Sequence, residues 1–345
     1  MENEKIKVNL IFKNGILSAS KVGSGDRSVC FMLYEALKRR EDVEVFFNAK
    51  PEDGPFDVIH FHSLSDFLGE YKSKYPEKII YTAHIIPDTL NGSTSFSEIW
   101  KPIYSQYLLL LYNRAKVVIA VSPYEKIKLE EMGVKSKIVY IPNGVDLRTF
   151  KPDPEIRKIM REKFNIKDDD IVILSVGQTI KRKGFDSFAK VAKELSEYKF
   201  FWVGGIPFSI LSSGYSEVKR IKTNPPPNLF LIGPQPHDEI HKFYNMADIF
   251  FFPSRQENFS IAVLEASSCG LPLLLRDLPE YREPLSPFYI PSKEEDFVKN
   301  LKILAENPQL RKEYSEKALK LAWKYDIDRV AEETVKIYKE VASMV

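Results

Sequence analysis

Short apolar runs rich in β-branched residues alternate with amphipathic stretches from one end of this chain to the other. Such runs are typical of buried parallel strands, and the amphipathic stretches between them are typical of crossover helices. The alternation therefore predicts doubly wound α/β sheets. In the first part of the chain the predicted strands are Val8–Phe12, Val43–Phe47, Val58–Phe61, Ile79–Thr82, Val117–Val121 and Ile138–Ile141, and the predicted helices are Ser28–Arg40, Ser97–Asn113 and Pro123–Met132.

The alternation pauses between residues 142 and 170, where the turn dipeptide Asn143-Gly144, Pro152, Pro154 and the acidic run Asp168–Asp170 indicate a connection between domains. It then restarts, with strands predicted at Ile171–Val176, Phe200–Val203, Leu229–Ile232, Ile249–Phe252 and Leu273–Leu275, and helices at Ser187–Leu195, His237–Met246 and Ile261–Cys269. A chain of 345 residues is long enough for two cores. We predict an N-terminal Rossmann-like domain (1–145), a connection (146–170), a second Rossmann-like domain (171–320) and C-terminal helices (321–345) that pack back on the first domain.

One helix start is marked by three signals at once. Ser122 suits the N-cap, Pro123 suits the first helical position, and Glu125 completes an S-x-x-E capping box. The sequence therefore predicts a capped helix that begins directly after Ser122.

Charge and cysteine content limit the class of protein. The chain has 50 Lys and Arg against 48 Asp and Glu, so it lacks the basic field expected of a nucleic-acid-binding protein. Its two cysteines, Cys30 and Cys269, fit a reducing compartment and make neither a disulfide framework nor a zinc spacing. The polar start of the chain and the lack of an apolar run of about 20 residues predict a cytoplasmic protein, free or on a membrane surface.

Ligands of doubly wound folds bind at the carboxyl ends of the strands, so the loops there are the candidate sites. The loop after the first strand contains Gly15, Gly23 and Gly25, which allow a ligand close to the backbone; a flexible surface loop is the alternative. His84 ends a predicted strand and can bond a sugar hydroxyl, or can serve only as a capping or packing residue.

A basic segment follows the first strand of the second domain. Gly177 permits a tight turn, and Lys181, Arg182 and Lys183 come just before a helix predicted to begin near Gly184. Cations at a helix N-terminus suit a diphosphate. A solvated basic loop is the alternative interpretation.

The segment Glu257–Glu265 places two carboxylates around a helix start, with Ser260 as a candidate N-cap. One carboxylate can bind sugar hydroxyls and the other a ribose diol, with backbone N–H groups between them at the diphosphate. The alternative is that Glu265 is an ordinary helix residue and Glu257 a solvated loop acid.

Five segments taken together resemble one enzyme family. They are Asp57–His60, Thr82–His84, Ile141–Asp146, the E-x7-E motif Glu257–Glu265 and its continuation to Pro272. In this order they are similar to the retaining glycosyltransferases of family 4. The resemblance implies a GT-B fold, in which two Rossmann-like domains face a central cleft. It also implies a nucleotide-sugar donor, with UDP as the commonest nucleotide, held mainly by the C-terminal domain without a metal or further cofactor.

The resemblance also implies a role for individual residues. Glu265 would bind the ribose and Glu257 the donor hexose, His84 would contact the donor sugar, and Arg182 and Lys183 would neutralise the leaving diphosphate. The remaining donor-binding residues implied are Gly23, Gly25, Gly177, Asn258, Phe259, Ser260 and Ile261. Many family members have Arg directly after the glycine that Gly177 matches, whereas this chain has Gln178 and supplies its charge from Arg182.

A narrower similarity concerns the acceptor. Five segments resemble bacterial enzymes that glycosylate diacylglycerol or monoglycosyldiacylglycerol: Pro87–Ser93, Gly177–Gly184, Trp202–Phe208, Asn224–Asn228 and Leu275–Tyr281. This similarity implies transfer of glucose or galactose from a UDP-sugar to a membrane glycolipid by a peripheral protein on the inner face of the plasma membrane.

Trp100–Lys116, rich in Tyr and Leu with basic ends, is a candidate membrane contact, although core packing explains it equally well. Three other functions stay open: transfer to a polysaccharide or soluble acceptor, epimerisation of the sugar nucleotide, and binding without catalysis.

Overall fold

The structure is a computed structural model that describes residues 5–13, 25–64, 69–87, 97–206 and 215–344. Its first half forms a six-stranded, fully parallel sheet in the order β2-β1-β3-β4-β5-β6. The elements in chain order are β1 (Ile6–Ile11), α1 (Gly25–Lys38), β2 (Val43–Phe47), β3 (Val58–Phe61), α2 (Glu70–Lys74), β4 (Ile79–Ala83), α3 (Ser97–Tyr112), β5 (Val117–Ala120), α4 (Pro123–Glu131) and β6 (Lys137–Tyr140).

The second half forms another parallel six-stranded sheet, in the order β12-β11-β10-β7-β8-β9. Its direction of winding reverses between β7 and β10, which is the position at which Rossmann folds bind nucleotides. The elements are α5 (Pro154–Lys163), β7 (Val172–Val176), α6 (Phe185–Glu194), β8 (Lys199–Val203), α7 (Tyr215–Thr223), β9 (Leu229–Gly233), α8 (His237–Met246), β10 (Ile249–Phe252), α9 (Ile261–Ser268), β11 (Leu273–Arg276), α10 (Pro279–Leu285), β12 (Ile290–Ser292), α11 (Phe297–Glu306), α12 (Pro308–Lys324) and α13 (Ile327–Ser343).

The predicted fold class, two Rossmann-like domains in tandem, is confirmed. The predicted strands lie within about two residues of the observed ones, which is the usual uncertainty of an element boundary. The sequence did not predict α2, α7, α10 or β12, which are among the shorter elements. A segment of three to nine residues carries too few apolar positions to establish a period.

The inner strands of each sheet are buried on both faces, which explains why they are apolar without alternation. In the second sheet, Leu174 and Phe250 face one core cluster while Ile173 and Phe251 face the other. Phe251 stacks on Phe188 of α6 at 5.7 Å between ring centroids. Burying a side chain of this kind contributes about 1.5–3 kcal/mol to stability. The strands that carry the site loops are therefore firmly held in the sheet.

The chain crosses between the domains twice. The backbone of Val145 exchanges hydrogen bonds with Tyr325 and Ile327, which joins the outgoing and returning crossings in a short parallel bridge. After this bridge α13 packs on α1, and Val330 and Tyr338 share a core cluster with strands of the first sheet. The last helix therefore belongs structurally to the N-terminal domain.

Helix α4 begins with the predicted N-cap at Ser122, but the Glu125 side chain makes a different hydrogen bond from the one that was predicted. The Ser122 hydroxyl accepts a hydrogen bond from the backbone N–H of Glu125 at 3.1 Å, a contact that stabilises a helix by about 1 kcal/mol. The Glu125 carboxylate does not return to the N–H of Ser122, as a capping box would. Instead it accepts from the N–H of Val121 at 2.7 Å, and it is fully buried.

Candidate active site between the two domains

The loops after β7 and β10 lie side by side because their strands are neighbours at the point where the sheet reverses. The backbone N–H of Arg255 donates to the carbonyl of Arg182 at 2.7 Å. Gly184 has a φ of 73°, and a Cβ atom there would lie 2.2 Å from the carbonyl oxygen of Pro253. Only glycine permits this approach, so Gly184 holds the basic segment against the loop that carries Glu257.

A buried ion pair joins these two loops. The Lys183 ammonium lies 2.5 Å from Oε1 of Glu257, and the Ser254 hydroxyl donates to the same oxygen at 2.6 Å. Burial alone would raise the pKa of Glu257, but the charges of Lys183 and Arg182 hold it below its ordinary value. Burial lowers the pKa of Lys183 against the opposing charge of Glu257. Neither side chain is the solvated surface group that the alternative interpretations described.

Two buried polar atoms beside this pair have no hydrogen-bond partner among the described residues: Nε of Arg182 and the hydroxyl of Tyr281. The Arg182 guanidinium is anchored through Nη1, which donates to the carbonyl and the side-chain oxygen of Gln256 at 3.1 and 3.3 Å. Burial raises the pKa of the Tyr281 hydroxyl well above its ordinary value, and the charge of Glu257 raises it further. Because buried polar groups are nearly always satisfied, these atoms fit a site that is completed by a polar ligand.

Glu265 lies on α9 and is only 2% exposed. Nε2 of His237 lies 2.7 Å from its Oε1, and the Tyr244 hydroxyl donates to its Oε2 at 2.9 Å. Burial would lower the pKa of His237, but the hydrogen bond and charge of Glu265 prevail and raise it. A carboxylate can accept about four hydrogen bonds, so Glu265 keeps acceptor capacity for a ligand.

The start of α9 lies between the two carboxylates and faces the N-terminal domain. Ser260 occupies the N-cap position, as predicted, but its side chain makes no capping hydrogen bond. A Cβ atom on Gly25, the first residue of α1, would lie 3.5 Å from Cγ2 of Ile261. The N-termini of α1 and α9 therefore meet, and both helix dipoles favour an anion near that contact. Gly23 lies outside the described residues.

His84 directly follows β4 and is one of three neighbouring histidines. Its Nε2 lies 3.0 Å from Nδ1 of His62, and His60 bonds Thr82 and Tyr338, each at 2.7 Å. Burial lowers the pKa of all three, in the case of His60 to about 3. The rings are therefore neutral at neutral pH, and His84 can bond a hydroxyl but does not supply a charge.

The residues after Glu257 contact the N-terminal domain directly. The side-chain amide of Asn258 donates to the carbonyl of His84 at 3.0 Å and to Oε1 of Glu125 at 2.9 Å. The Asn143 amide donates to the carbonyl of Phe259 at 2.8 Å. The structure thus brings His84 to the same interface as the loop that carries Glu257.

Two family models match the chain, and together they span both domains. Residues 23–149 match the model described as Glycosyltransferase Family 4, and residues 156–321 match the model described as Glycosyl transferases group 1. This chain is a family 4 glycosyltransferase. The fold of this chain is also found among solved structures. The structure of sucrose-phosphate synthase from Thermosynechococcus elongatus matches with a TM-score of 0.82 at 17% identity, over 99% of this chain and 100% of that one.

Among curated proteins, this glycosyltransferase is similar to two that act on diacylglycerol lipids according to their names. It is 29% identical to the alpha-galactosylglucosyldiacylglycerol synthase of Streptococcus pneumoniae, over 100% of this chain and 92% of the relative. It is also 29% identical to the processive diacylglycerol alpha-glucosyltransferase of Acholeplasma laidlawii, over 78% of each chain.

Several residues of the candidate site were not found from the sequence. His237 and Tyr244 lie seven residues apart on a correctly predicted helix, so a shared face was foreseeable, but their contact with Glu265 was not. His60 and His62 alternate along one strand and its extension, which places them on one face. Nothing in the local pattern indicates that Glu125 or Tyr281 faces the same interface.

The candidate membrane segment is divided between the core and the surface. Leu108 and Leu111 of α3 are buried in the first domain, whereas Ile103 and Leu110 are 65% and 69% exposed. The exposed pair lies seven residues apart, on one face of the helix. Within the part of the chain that the structure describes, no helix has both the length and the apolarity to cross a bilayer.

Proposed function

We propose that this glycosyltransferase moves a hexosyl group, glucose or galactose, from a UDP-sugar to a diacylglycerol-type glycolipid with retention of the anomeric configuration. The observation that carries the donor half of this proposal is the buried constellation around the start of α9. It combines the ionised Lys183–Glu257 pair, the unsatisfied Arg182 Nε and the Glu265 carboxylate.

Each group in this constellation suits one part of a nucleotide sugar. Glu265, held by His237 and Tyr244, would accept hydrogen bonds from the ribose diol. The cations of Arg182 and Lys183 and the N–H groups at the start of α9 would hold the diphosphate. The remaining acceptor capacity of Glu257 would bind hydroxyls of the hexose, and Asn258 to Ile261 with Gly25 and Gly177 would line the path between them.

The chemistry follows from this arrangement. The bond between the anomeric carbon and the leaving phosphate breaks while an acceptor oxygen attacks from the same face, and the acceptor proton passes to an oxygen of the departing diphosphate. Arg182 and Lys183 stabilise the charge that develops on the diphosphate, a role that supports catalysis without a metal. The neutral His84 would hold a donor-sugar hydroxyl in place.

Two observations support a lipid acceptor. The curated relatives described above act on diacylglycerol lipids according to their names. The exposed Ile103 and Leu110 give α3 an apolar face on the N-terminal domain, which is the acceptor side of a GT-B enzyme. An apolar helix face with basic residues at its ends suits the surface of an anionic membrane, here the cytoplasmic leaflet.

The test is a donor panel in two steps. Calorimetry first ranks UDP-glucose, UDP-galactose and GDP-mannose, and turnover of the best donor is then measured with and without monoglucosyldiacylglycerol in mixed micelles. Nucleotide release that depends on the lipid, with the α-anomer as product, is the expected result. Donor binding with turnover only on soluble sugars would remove the lipid acceptor, and conversion of the donor without any acceptor would favour an epimerase.

A further inference from the structure

Asn258 uses both N–H groups of its side chain on the opposite domain. One goes to the carbonyl of His84 and the other to Oε1 of Glu125, and its own side-chain oxygen accepts from Gln256 at 3.3 Å. Asn258 directly follows Glu257 in the chain, so whatever fixes the Asn258 amide also limits where the Glu257 carboxylate can lie.

Glu125 is a fully buried carboxylate that the proposed chemistry does not use. It lies in the first turn of α4, where Oε2 accepts from the N–H of Val121 and Oε1 accepts from Asn258. Burying a carboxyl group costs free energy, and here two N–H donors offset that cost, one from each domain. Each oxygen of Glu125 accepts one of these hydrogen bonds. The side chain therefore holds the Asn258 amide in one orientation across the domain interface.

We propose that Glu125 is a positioning residue of the donor site: by holding the Asn258 amide across the domain interface, it fixes the loop that presents Glu257 to the donor sugar. This inference rests on the proposed function, because it assigns Glu125 to the same donor site. It adds that the N-terminal domain helps to set donor affinity through a residue that does not touch the donor.

A second contact between the domains allows the positioning role of Glu125 to be tested apart from the attachment of one domain to the other. The Asn143 amide holds the carbonyl of Phe259, the next residue, independently of Glu125. Loss of the Glu125 contact therefore leaves the domains joined at Phe259 and through the crossings at Val145, while Asn258 loses one of its two acceptors. The expected consequence is a loosened loop in a folded protein.

The central variant is Glu125→Gln. Both oxygens of the Glu125 carboxyl group can accept a hydrogen bond, in its protonated as well as its ionised form, whereas the nitrogen of an amide can only donate. Gln must therefore turn a donor toward either Val121 or Asn258 and lose that bond. We expect the affinity for the best UDP-sugar, measured by calorimetry without acceptor, to fall at least about tenfold. Hydrogen exchange at the backbone amides of residues 256–260 should be faster than in the unsubstituted protein, with no ligand present.

Ser122→Ala is the matched control. It removes the N-cap of the same helix without touching the Asn258 contact, so it should lower thermal stability and leave donor affinity within twofold. Asn258→Ala completes a double-mutant cycle. If Glu125 acts through Asn258, the double variant should bind the donor no more weakly than Asn258→Ala alone.

Three results would overturn the inference: unchanged donor affinity in Glu125→Gln, unchanged exchange at residues 256–260, or full additivity with Asn258→Ala. Failure of the proposed function is distinguishable, because it would show in the unsubstituted protein as absence of UDP-sugar binding. The exchange measurement needs no donor, so it tests the Glu125–Asn258 contact in that case as well.

Discussion

The ammonium of Lys183 and the carboxylate of Glu257 lie 2.5 Å apart across two loops that belong to different βα units of the second domain. Their strands, β7 and β10, are neighbours in the sheet although the two residues lie 74 positions apart in the chain. The pair is buried, so each charge depends on the other for its stability.

Replacing Lys183 by Met should impair both stability and activity. The substitution leaves the buried Glu257 without its principal opposite charge, which costs about 3–5 kcal/mol of folding free energy, and it removes a cation from the leaving group. We expect kcat to fall by about 10²–10³-fold, as for loss of one electrostatic donor. Lys181→Met is the matched control, because Lys181 is exposed in the same turn. Equal activity of the two variants would contradict the assignment of Lys183.

Replacing Glu265 by Ala should weaken binding of UDP itself while the fold survives. The substitution removes the proposed ribose acceptor, and a hydrogen bond to a charged group contributes about 1.5–3 kcal/mol, or about 10–100-fold in affinity. Calorimetry with UDP measures the loss, and circular dichroism confirms the fold. Glu306→Ala, an exposed glutamate of the same domain, should bind UDP normally. Unchanged affinity in Glu265→Ala would remove this residue from the site.

The stability of the protein should carry a pH dependence that originates at Glu125. Burial raises the pKa of Glu125 to about 8, against an ordinary value of 4.5. Between these two pH values the folded protein retains a proton that the unfolded chain has lost, so the free energy of unfolding falls as pH rises from about 4.5 to about 8. Urea unfolding at several pH values should show this slope in the unsubstituted protein and a weaker one in Glu125→Gln. Equal slopes would mean that Glu125 is already ionised in the fold at low pH.

Charged substitutions on the exposed face of α3 should reduce membrane binding without changing donor binding. Ile103→Asp and Leu110→Asp place a carboxylate on the face proposed to contact lipid, where anionic headgroups repel it. Sedimentation with anionic liposomes should fall several-fold, while calorimetry with the donor is unchanged. Ile159→Asp is the control, since Ile159 is 61% exposed on α5 at the other domain. Unaltered sedimentation of the α3 variants would place the lipid contact elsewhere.

Transfer should not depend on a divalent cation. The proposed site meets the diphosphate with Arg182, Lys183 and the start of α9, which supply the positive charge that a metal would otherwise provide. Turnover in excess EDTA should therefore equal turnover in Mg²⁺ within about twofold. That margin allows for the effect of ionic strength on the binding of a charged donor. A loss that Mg²⁺ or Mn²⁺ restores would show that the cations of the chain are insufficient.

The sequence by itself determined the two-domain α/β architecture and the loops that carry the candidate site. Apolar runs that are buried on both faces leave a local signature, and the strand ends follow from it, so Gly177–Gly184 and Glu257–Glu265 could be placed at the carboxyl edge of the second sheet. The motifs also identified the family, because they follow one another along this chain in the same order as in the family.

Only the tertiary structure decided which side chains meet. The contacts of Lys183 with Glu257, of Glu265 with His237 and of Asn258 with Glu125 join residues 28 to 133 positions apart, and no local period encodes such pairs. The fold likewise decided which glutamate is ionised. Two cations hold buried Glu257 in its ionised form, whereas desolvation shifts buried Glu125 toward its neutral form. Both outcomes depend on what the fold places around a carboxylate, which the sequence near it does not specify.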